Sequence, residues 1–198
     1  MSSPPNLTSL FDFALIGPFM GIATSIILLV YGVQATLIAD PEALKYFPAL
    51  TVEEIRLSSL GSVIIDFLFG GSGVITSQNP GNSVSLHPFA VGGFAGLIIQ
   101  AVEMLPLGST DGGRISQAIF GRSGHLLVGG ATWFALLVAT VFVDQSSDIL
   151  LGAWALNNVA QNDMEIPCRE EVTKVDIFRS AAGFGLYAVA LLAILPLQ

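Results

Sequence analysis

Apolar residues along this chain fall in long blocks separated by short polar stretches. Continuous runs of that length are how membrane-spanning helices look in a sequence, whereas a half-buried strand alternates over a few residues. The first block, from about Phe11 to Ile38, is long enough to cross a bilayer core of roughly 30 Å at about 1.5 Å per residue. Gly17, Pro18 and Gly21 sit in its first half, where proline removes a backbone hydrogen bond and glycine permits close helix contact. A polar stretch from Asp40 to Arg56, punctuated by Pro41 and Pro48, leads to a second block, Leu57 to Ile75. Asp66 and the run Gly70-Gly71-Ser72-Gly73 weaken that block, which reads as a tilted, short or partly re-entrant span. Thr76 to Ser85, rich in Asn, Ser, Gly and Pro, reads as a loop.

The third block, Leu86 to Leu107, opens with His87-Pro88 and carries Gly92, Gly93 and Gly96 as a small-residue face for helix packing. Gly113 to Arg122 places Ile115, Ala118 and Ile119 on one helical face, with Arg114, Ser116 and Gln117 on others, and is expected at the interface. A fourth span runs from His125 to Val143, followed by Asp144 and a short apolar piece, Ile149 to Leu156. After a polar loop, Asn157 to Lys174, a last span covers about Ile177 to Leu195. The pattern predicts an all-α, polytopic membrane protein with four to five transmembrane helices. It forms one membrane-embedded domain over residues 1–198, with no separate soluble domain.

Composition agrees: 53% of 198 residues are hydrophobic and 11% charged, and the mean hydropathy is +0.74. That is more apolar side chain than one soluble core of this size hides, so lipid is the expected solvent. With seven Lys and Arg against fifteen Asp and Glu, no basic patch can form and nucleic acid is excluded as a partner. Seven basic residues over several connections give no clear inside–outside asymmetry. The acidic residues sit mostly in the connections: Asp40, Glu42, Glu53, Glu54, Asp163, Glu165, Glu170 and Glu171. Cys168 stands alone, so no disulfide forms within the chain. Two distant histidines, His87 and His125, cannot build a histidine-rich metal cage, and each reads as a helix-end residue at the interface. Met1 to Leu10 lacks the features of a secretory signal or an organelle transit peptide.

The chemistry concentrates where the third block ends, in Glu103-Met104-Leu105-Pro106-Leu107-Gly108-Ser109-Thr110-Asp111-Gly112-Gly113, a carboxylate loop expected at the membrane edge. Glu103 lies within an apolar run, where an ionisable group is costly and faces a partner, water or a cavity; an interfacial helix end is the other reading. Pro106, Gly108, Gly112 and Gly113 break or bend a helix around Asp111, which fits a binding-site turn or an ordinary Asp-Gly turn. Gly70 to Gly73 has no following Lys-Ser or Lys-Thr and is not a phosphate loop.

The string Glu103-x-x-Pro106-x-x-x-x-Asp111-Gly112 resembles the N-x-x-P-x-x-x-x-D-G motif of site-2 protease-type intramembrane zinc metallopeptidases. Gly113-Arg114 and Phe120-Gly121-Arg122 are similar to its plastid branch, the ethylene-dependent gravitropism-deficient and yellow-green proteins. Asp12-Phe13-Ala14-Leu15-Ile16-Gly17-Pro18-Phe19, His87-Pro88, and Pro167-Cys168 followed by Glu171-Val172-Thr173-x-Val175 match in the same order. The resemblance implies a plastid membrane, thylakoid or envelope, and a transmembrane peptide or protein as substrate. It implies zinc held by two histidines of an H-E-x-x-H helix and by Asp111, with Glu103, Pro106, Gly112 and Gly113 supporting the turn. Such a metal lowers the pKa of its bound water and polarises the scissile carbonyl. No H-E-x-x-H occurs in this sequence. The chain therefore reads as the C-terminal portion of a site-2 protease-like core, supplying a third ligand and inactive alone, or as a degenerate member acting as a scaffold or regulator. Glu103 replaces the motif's asparagine, exchanging an amide that donates and accepts for a charged group that only accepts when ionised. A small transporter using Glu103 and Asp66 is a further reading.

Overall fold

The computed structural model describes residues 3–71, 73–142, 152, 155 and 166–196. In chain order the described elements are α1 (Leu7–Leu37), α2 (Pro41–Leu44), β1 (Ala49–Thr51), α3 (Val52–Arg56), α4 (Ser59–Leu68), β2 (Ser83–Ser85), α5 (Pro88–Glu103), α6 (Asp111–Phe142) and α7 (Ile177–Ile194). The expected apolar piece at Ile149 to Leu156, apart from the helical Gly152 and Ala155, lies outside the described residues, as do Asp144, Asp163 and Glu165.

The chain is mostly helical, and among the described residues α1 and α7 are long and apolar enough to cross a membrane. Only 28% and 22% of their most apolar windows are buried, so neither is a sheathed core helix. Phe13, Ile16 and Ile27 on α1, and Phe178 and Leu191 on α7, face outward.

The chain divides into two compact units, one of Met1–Met20 with Ala101–Ala190 and one of Gly21–Gln100 with Leu191–Gln198. In the second, Leu29, Val33, Val52, Ile55, Ile65, Ile75, Leu86, Ala90 and Phe94 form a single apolar core. A Cβ on Gly93 would collide with the α1 backbone at Ser25 and Leu29, and one on Gly32 with the α5 backbone at Ala90. The two helices thus meet backbone to backbone, as small residues allow. Gly92, expected on the same face, meets nothing. His87 does stand at a helix end: its Nδ1 accepts from Phe89 N–H at 3.2 Å while its own N–H donates to Thr36 Oγ1 at 2.8 Å.

The second apolar block forms a shorter helix than its length allows, because α4 stops at Leu68 and glycines 70, 71 and 73 all take positive φ. Asp66 explains the stop. Its carboxylate accepts from the N–H groups of Gly73, Ile75 and Thr76 at 3.0, 2.8 and 3.1 Å, and from the Thr76 hydroxyl. Four donors from one loop suit an ionised, acceptor-only group and fold the chain back over the helix end. Arg56 Nε donates to Thr76 O at 2.8 Å from the other side. The polar stretches on either side are not plain loops. Residues 49–51 pair antiparallel with 83–85, and Thr51 and Glu54 make a reciprocal capping box at the start of α3. Pairing satisfies backbone groups of two strands too short to show an alternating pattern.

In the other unit, α6 is two helical pieces joined at Gly121, whose φ of 71° and ψ of 177° break the helix. The segments expected at Gly113 to Arg122 and at His125 to Val143 fall on these two pieces, and α6 is not among the helices long and apolar enough to cross a membrane. Side chains close the unit at one end. Arg179 forks onto Asp12, Nε to Oδ1 at 2.8 Å and NH2 to Oδ2 at 3.2 Å, and pairs with Asp176 at 2.7 Å. Arg122 meets Glu171 at 3.3 Å. The backbone N–H groups of Arg169 and Glu170 bond to Pro4 O and Pro5 O, and Leu7, Leu10 and Cys168 cluster beneath them with Val175.

Candidate functional site

Between Glu103, which ends α5, and Asp111, which starts α6, the chain makes a tight turn. Pro106 cannot donate a backbone hydrogen bond, and Gly108 takes a positive φ of 49°. Thr110 caps the new helix. Its Oγ1 accepts from Gly113 N–H at 2.9 Å, and its hydroxyl faces the carbonyls of Leu105 and Leu107 at 2.7 and 2.8 Å. That arrangement joins both sides of the turn through one buried side chain.

The two glycines of the motif are present for contact. A Cβ on Gly112 would overlap the carbonyls of Met104 and Leu105, and one on Gly113 the carbonyls of Leu107 and Gly108. The start of α6 therefore lies directly against the turn it leaves. From α7, the Tyr187 hydroxyl donates to Gly112 O, and Pro106 O lies 3.1 Å from where a Cβ of Gly129 would stand.

Asp111 is the first residue of α6. Its Oδ1 accepts from Arg114 NH1 at 3.1 Å, and the two side chains are 29% and 27% exposed. Its Oδ2 lies 3.2 Å from where a Cβ of Gly17 would stand, so the bare α1 backbone there makes room for the carboxylate. Glu103 is within electrostatic reach of both Asp111 and Arg114. At 1.5 Å per residue, Gly17 lies about 8 Å along α1 from Asp12, and Tyr187 about 12 Å along α7 from Arg179. The carboxylate is thus well inside the unit relative to the ion pairs that close its end.

The structure brings together every residue the motif singled out: Glu103, Pro106, Asp111, Gly112 and Gly113 share one turn. His87 and Asp66 belong to the other unit, each engaged as described above. His125 stands four residues after the Gly121 break, near the start of the second piece of α6, but it is buried rather than interfacial, with Nδ1 unpartnered and its ring beside Gly129. Sequence reasoning missed Tyr187, Thr110 and the Arg114 contact. A lone tyrosine in an otherwise apolar last block was the available signal for the first, and Thr-x-x-Gly ahead of a helix for the second.

The described residues do not fit a zinc ion by themselves. Among them no three His, Cys, Asp or Glu side chains converge as a metal group. A tetrahedral zinc site takes three protein ligands and an open position.

Against known proteins, the chain is 29% identical over 97% of its length to the probable zinc metalloprotease EGY3, chloroplastic, of Oryza sativa subsp. indica, covering 33% of that protein. It is 30% identical over 94% of its length to the probable zinc metalloprotease EGY1, chloroplastic, of Arabidopsis thaliana, covering 32%. The chain is homologous to the plant chloroplastic EGY zinc metalloproteases, a site-2 protease family. It spans about a third of the length of these EGY relatives. A DDT domain-containing protein PTM of Arabidopsis thaliana is 30% identical over 67% of the chain and matched over 7% of its own length. No family model and no solved structure matches.

Proposed function

We propose that this chain is the part of a membrane-embedded zinc metallopeptidase that carries the Asp-Gly carboxylate, and that it does not hydrolyse peptides alone. The observation that carries the reading is the joint one of homology to EGY metalloproteases over nearly the whole chain and Asp111 heading a helix that begins on a capped, glycine-tight turn. In this reading Asp111 is the chain's contribution to a metal site, Glu103, Pro106, Gly112 and Gly113 shape the turn, and the histidines come from an H-E-x-x-H region outside these residues. Four helices cross the bilayer: α1, α5, the part of α6 beyond Gly121, and α7. At 16 residues α5 reaches about 24 Å, most of the way across, and ends at the turn inside the membrane. The Asp12–Arg179 and Arg122–Glu171 pairs then mark one polar boundary, and the Asp111 turn is re-entrant beneath it, deeper than a membrane-edge loop. A plastid membrane is the setting and a transmembrane peptide or protein the substrate.

The test is the zinc content of the tagged full-length protein recovered with its native membrane partners. One zinc per complex, lost on Asp111→Asn, supports the reading; zinc that is absent or indifferent to Asp111→Asn rejects it. The second reading is a catalytically inactive scaffold or regulator. It is favoured by the missing H-E-x-x-H, and it predicts a zinc-free complex. A transporter gains nothing here, since Asp66 is saturated by its own loop.

A further inference from the structure

The corner where α1 ends and α5 begins carries an aromatic cluster that the Asp-Gly turn does not use. The two helices are brought together there by the close approach of Gly32 to the Ala90 backbone. Ring centroids run from Tyr31 on α1 to Phe89 on α5 at 5.9 Å, from Phe89 to His87 at 5.0 Å, and from His87 to Phe47, between α2 and β1, at 5.2 Å. The Phe89 N–H occupies His87 Nδ1, which leaves Nε2 as the polar edge of that ring. Beyond the cluster, Ile38 and Tyr46 are 86% and 87% exposed, although they lie at the ends of a polar stretch. Asp40 and the Glu42–Lys45 ion pair stand between them, also exposed.

Water is a poor solvent for the apolar bodies of these side chains. Hydrocarbon is no better, because the phenols, the imidazole and the neighbouring charges would lose their hydration. The headgroup region of a bilayer offers an apolar and a polar side together, and aromatic residues with a polar tip collect there for that reason. The outward row of α1 shows the same gradient. Ile27, Tyr31 and Gln34, at i, i+4 and i+7 on one exposed face, pass from aliphatic side chain to phenol to amide. We propose that Tyr31, Ile38, Tyr46, Phe47, His87 and Phe89 form an interfacial collar, seated in the headgroup region where α1 leaves the bilayer, with Asp40, Glu42 and Lys45 on the aqueous side. The proposal rests on the membrane-crossing reading of α1 and fixes the depth of that end.

The experiment uses the full chain carrying Cys168→Ser, reconstituted into phosphatidylcholine vesicles. Ile27→Cys, Ile38→Cys, Glu42→Cys and Tyr46→Cys are introduced singly and labelled with a nitroxide. Depth is read from the label's relative accessibility to oxygen and to a water-soluble nickel chelate. Labels at 38 and 46 are expected within about 5–10 Å of the headgroup–acyl boundary, and the label at 42 in water. The label at 27 should lie deeper than that at 38 by up to about 16 Å, the helical rise between the two positions. A deep label at 27 with fully aqueous labels at 38 and 46 overturns the collar and leaves the span standing. An aqueous label at 27 overturns the span, and the collar with it. Labels at 38 and 46 shielded from both reagents are covered by a second copy of the chain, which also overturns the collar. Should Cys168→Ser fail to fold, the wild-type chain in lipid nanodiscs gives the same answer through broadening of its amide NMR signals by nitroxide-bearing lipids. A headgroup nitroxide should then broaden residues 38 and 46 most and an acyl-end nitroxide residue 27; no headgroup effect at 38 and 46 overturns the proposal.

Discussion

The Asp-Gly turn is held by single atoms, so its residues differ sharply in what they tolerate. Gly112 has no room for a methyl group, because backbone carbonyls on the other side of the turn already occupy the place. Gly112→Ala is expected to cost about 3 kcal/mol or more, of the order seen for overpacking, read as a lowered unfolding midpoint or loss of folded protein. Tyr187→Phe removes the donor to Gly112 O and the hydroxyl that meets the Ser116 backbone, and should cost about 1 kcal/mol. If it costs nothing, Tyr187 does not position the turn. Ser116 and Gln117 are buried on α6 with side-chain atoms that have no partner. Replacing an unpaired buried amide with an apolar group of similar volume removes a desolvation penalty, so Gln117→Leu should raise stability by about 1–3 kcal/mol. A large loss in that variant would show that the amide is satisfied by a bound group.

Helix ends decide where the elements begin. Asn6, Ser58, Thr110 and Asp176 each accept a backbone N–H from the first turn of the helix they precede. Asp176 is just outside α7, and the Arg179 N–H bonded to its carboxylate holds it below the usual carboxylate range. A carboxyl lowered in the folded state contributes stability above its unfolded value and loses it as pH falls through the folded one. Opening of the α7 start, followed by amide exchange at residues 177–179, should therefore grow below about pH 4. Asp176→Asn should flatten that dependence, and an unchanged profile would rule the cap out as its source. At the other break, Gly121→Ala places a methyl-bearing residue at φ 71° and ψ 177°, a region essentially confined to glycine, and should cost about 1–3 kcal/mol.

For the whole molecule, the exposed apolar faces of α1 and α7 have no partner in water, so the chain should stay with membranes through alkaline carbonate washing. Release into the soluble fraction would contradict a spanning role for these helices. The outline was legible early: long apolar runs at Phe11 to Ile38 and Ile177 to Leu195 announced two helices that the structure places at Leu7–Leu37 and Ile177–Ile194. The turn was legible as well, since proline, glycine and aspartate at fixed spacing carry local conformational signals. The Tyr187 contact on Gly112 was not, because the two residues are far apart in sequence and nothing local in either announces the other.

Hydrophobic run length and residue-level turn chemistry act over a few neighbours, and so the sequence alone determined the helical class, the apolar first and last helices, the break before Asp111 and the absence of an H-E-x-x-H helix. Tertiary structure decided what the charged and polar groups do. Asp66 became the anchor of a loop rather than a group free for transport, the short strands paired across the chain, and His125 went inside. Asp111 acquired Arg114 as an ion-pair partner, Gly17 as its clearance and Tyr187 as a hold on its neighbour. Each depends on which distant atoms come within hydrogen-bond reach, and in an apolar setting that proximity decides whether a charge is satisfied or stranded.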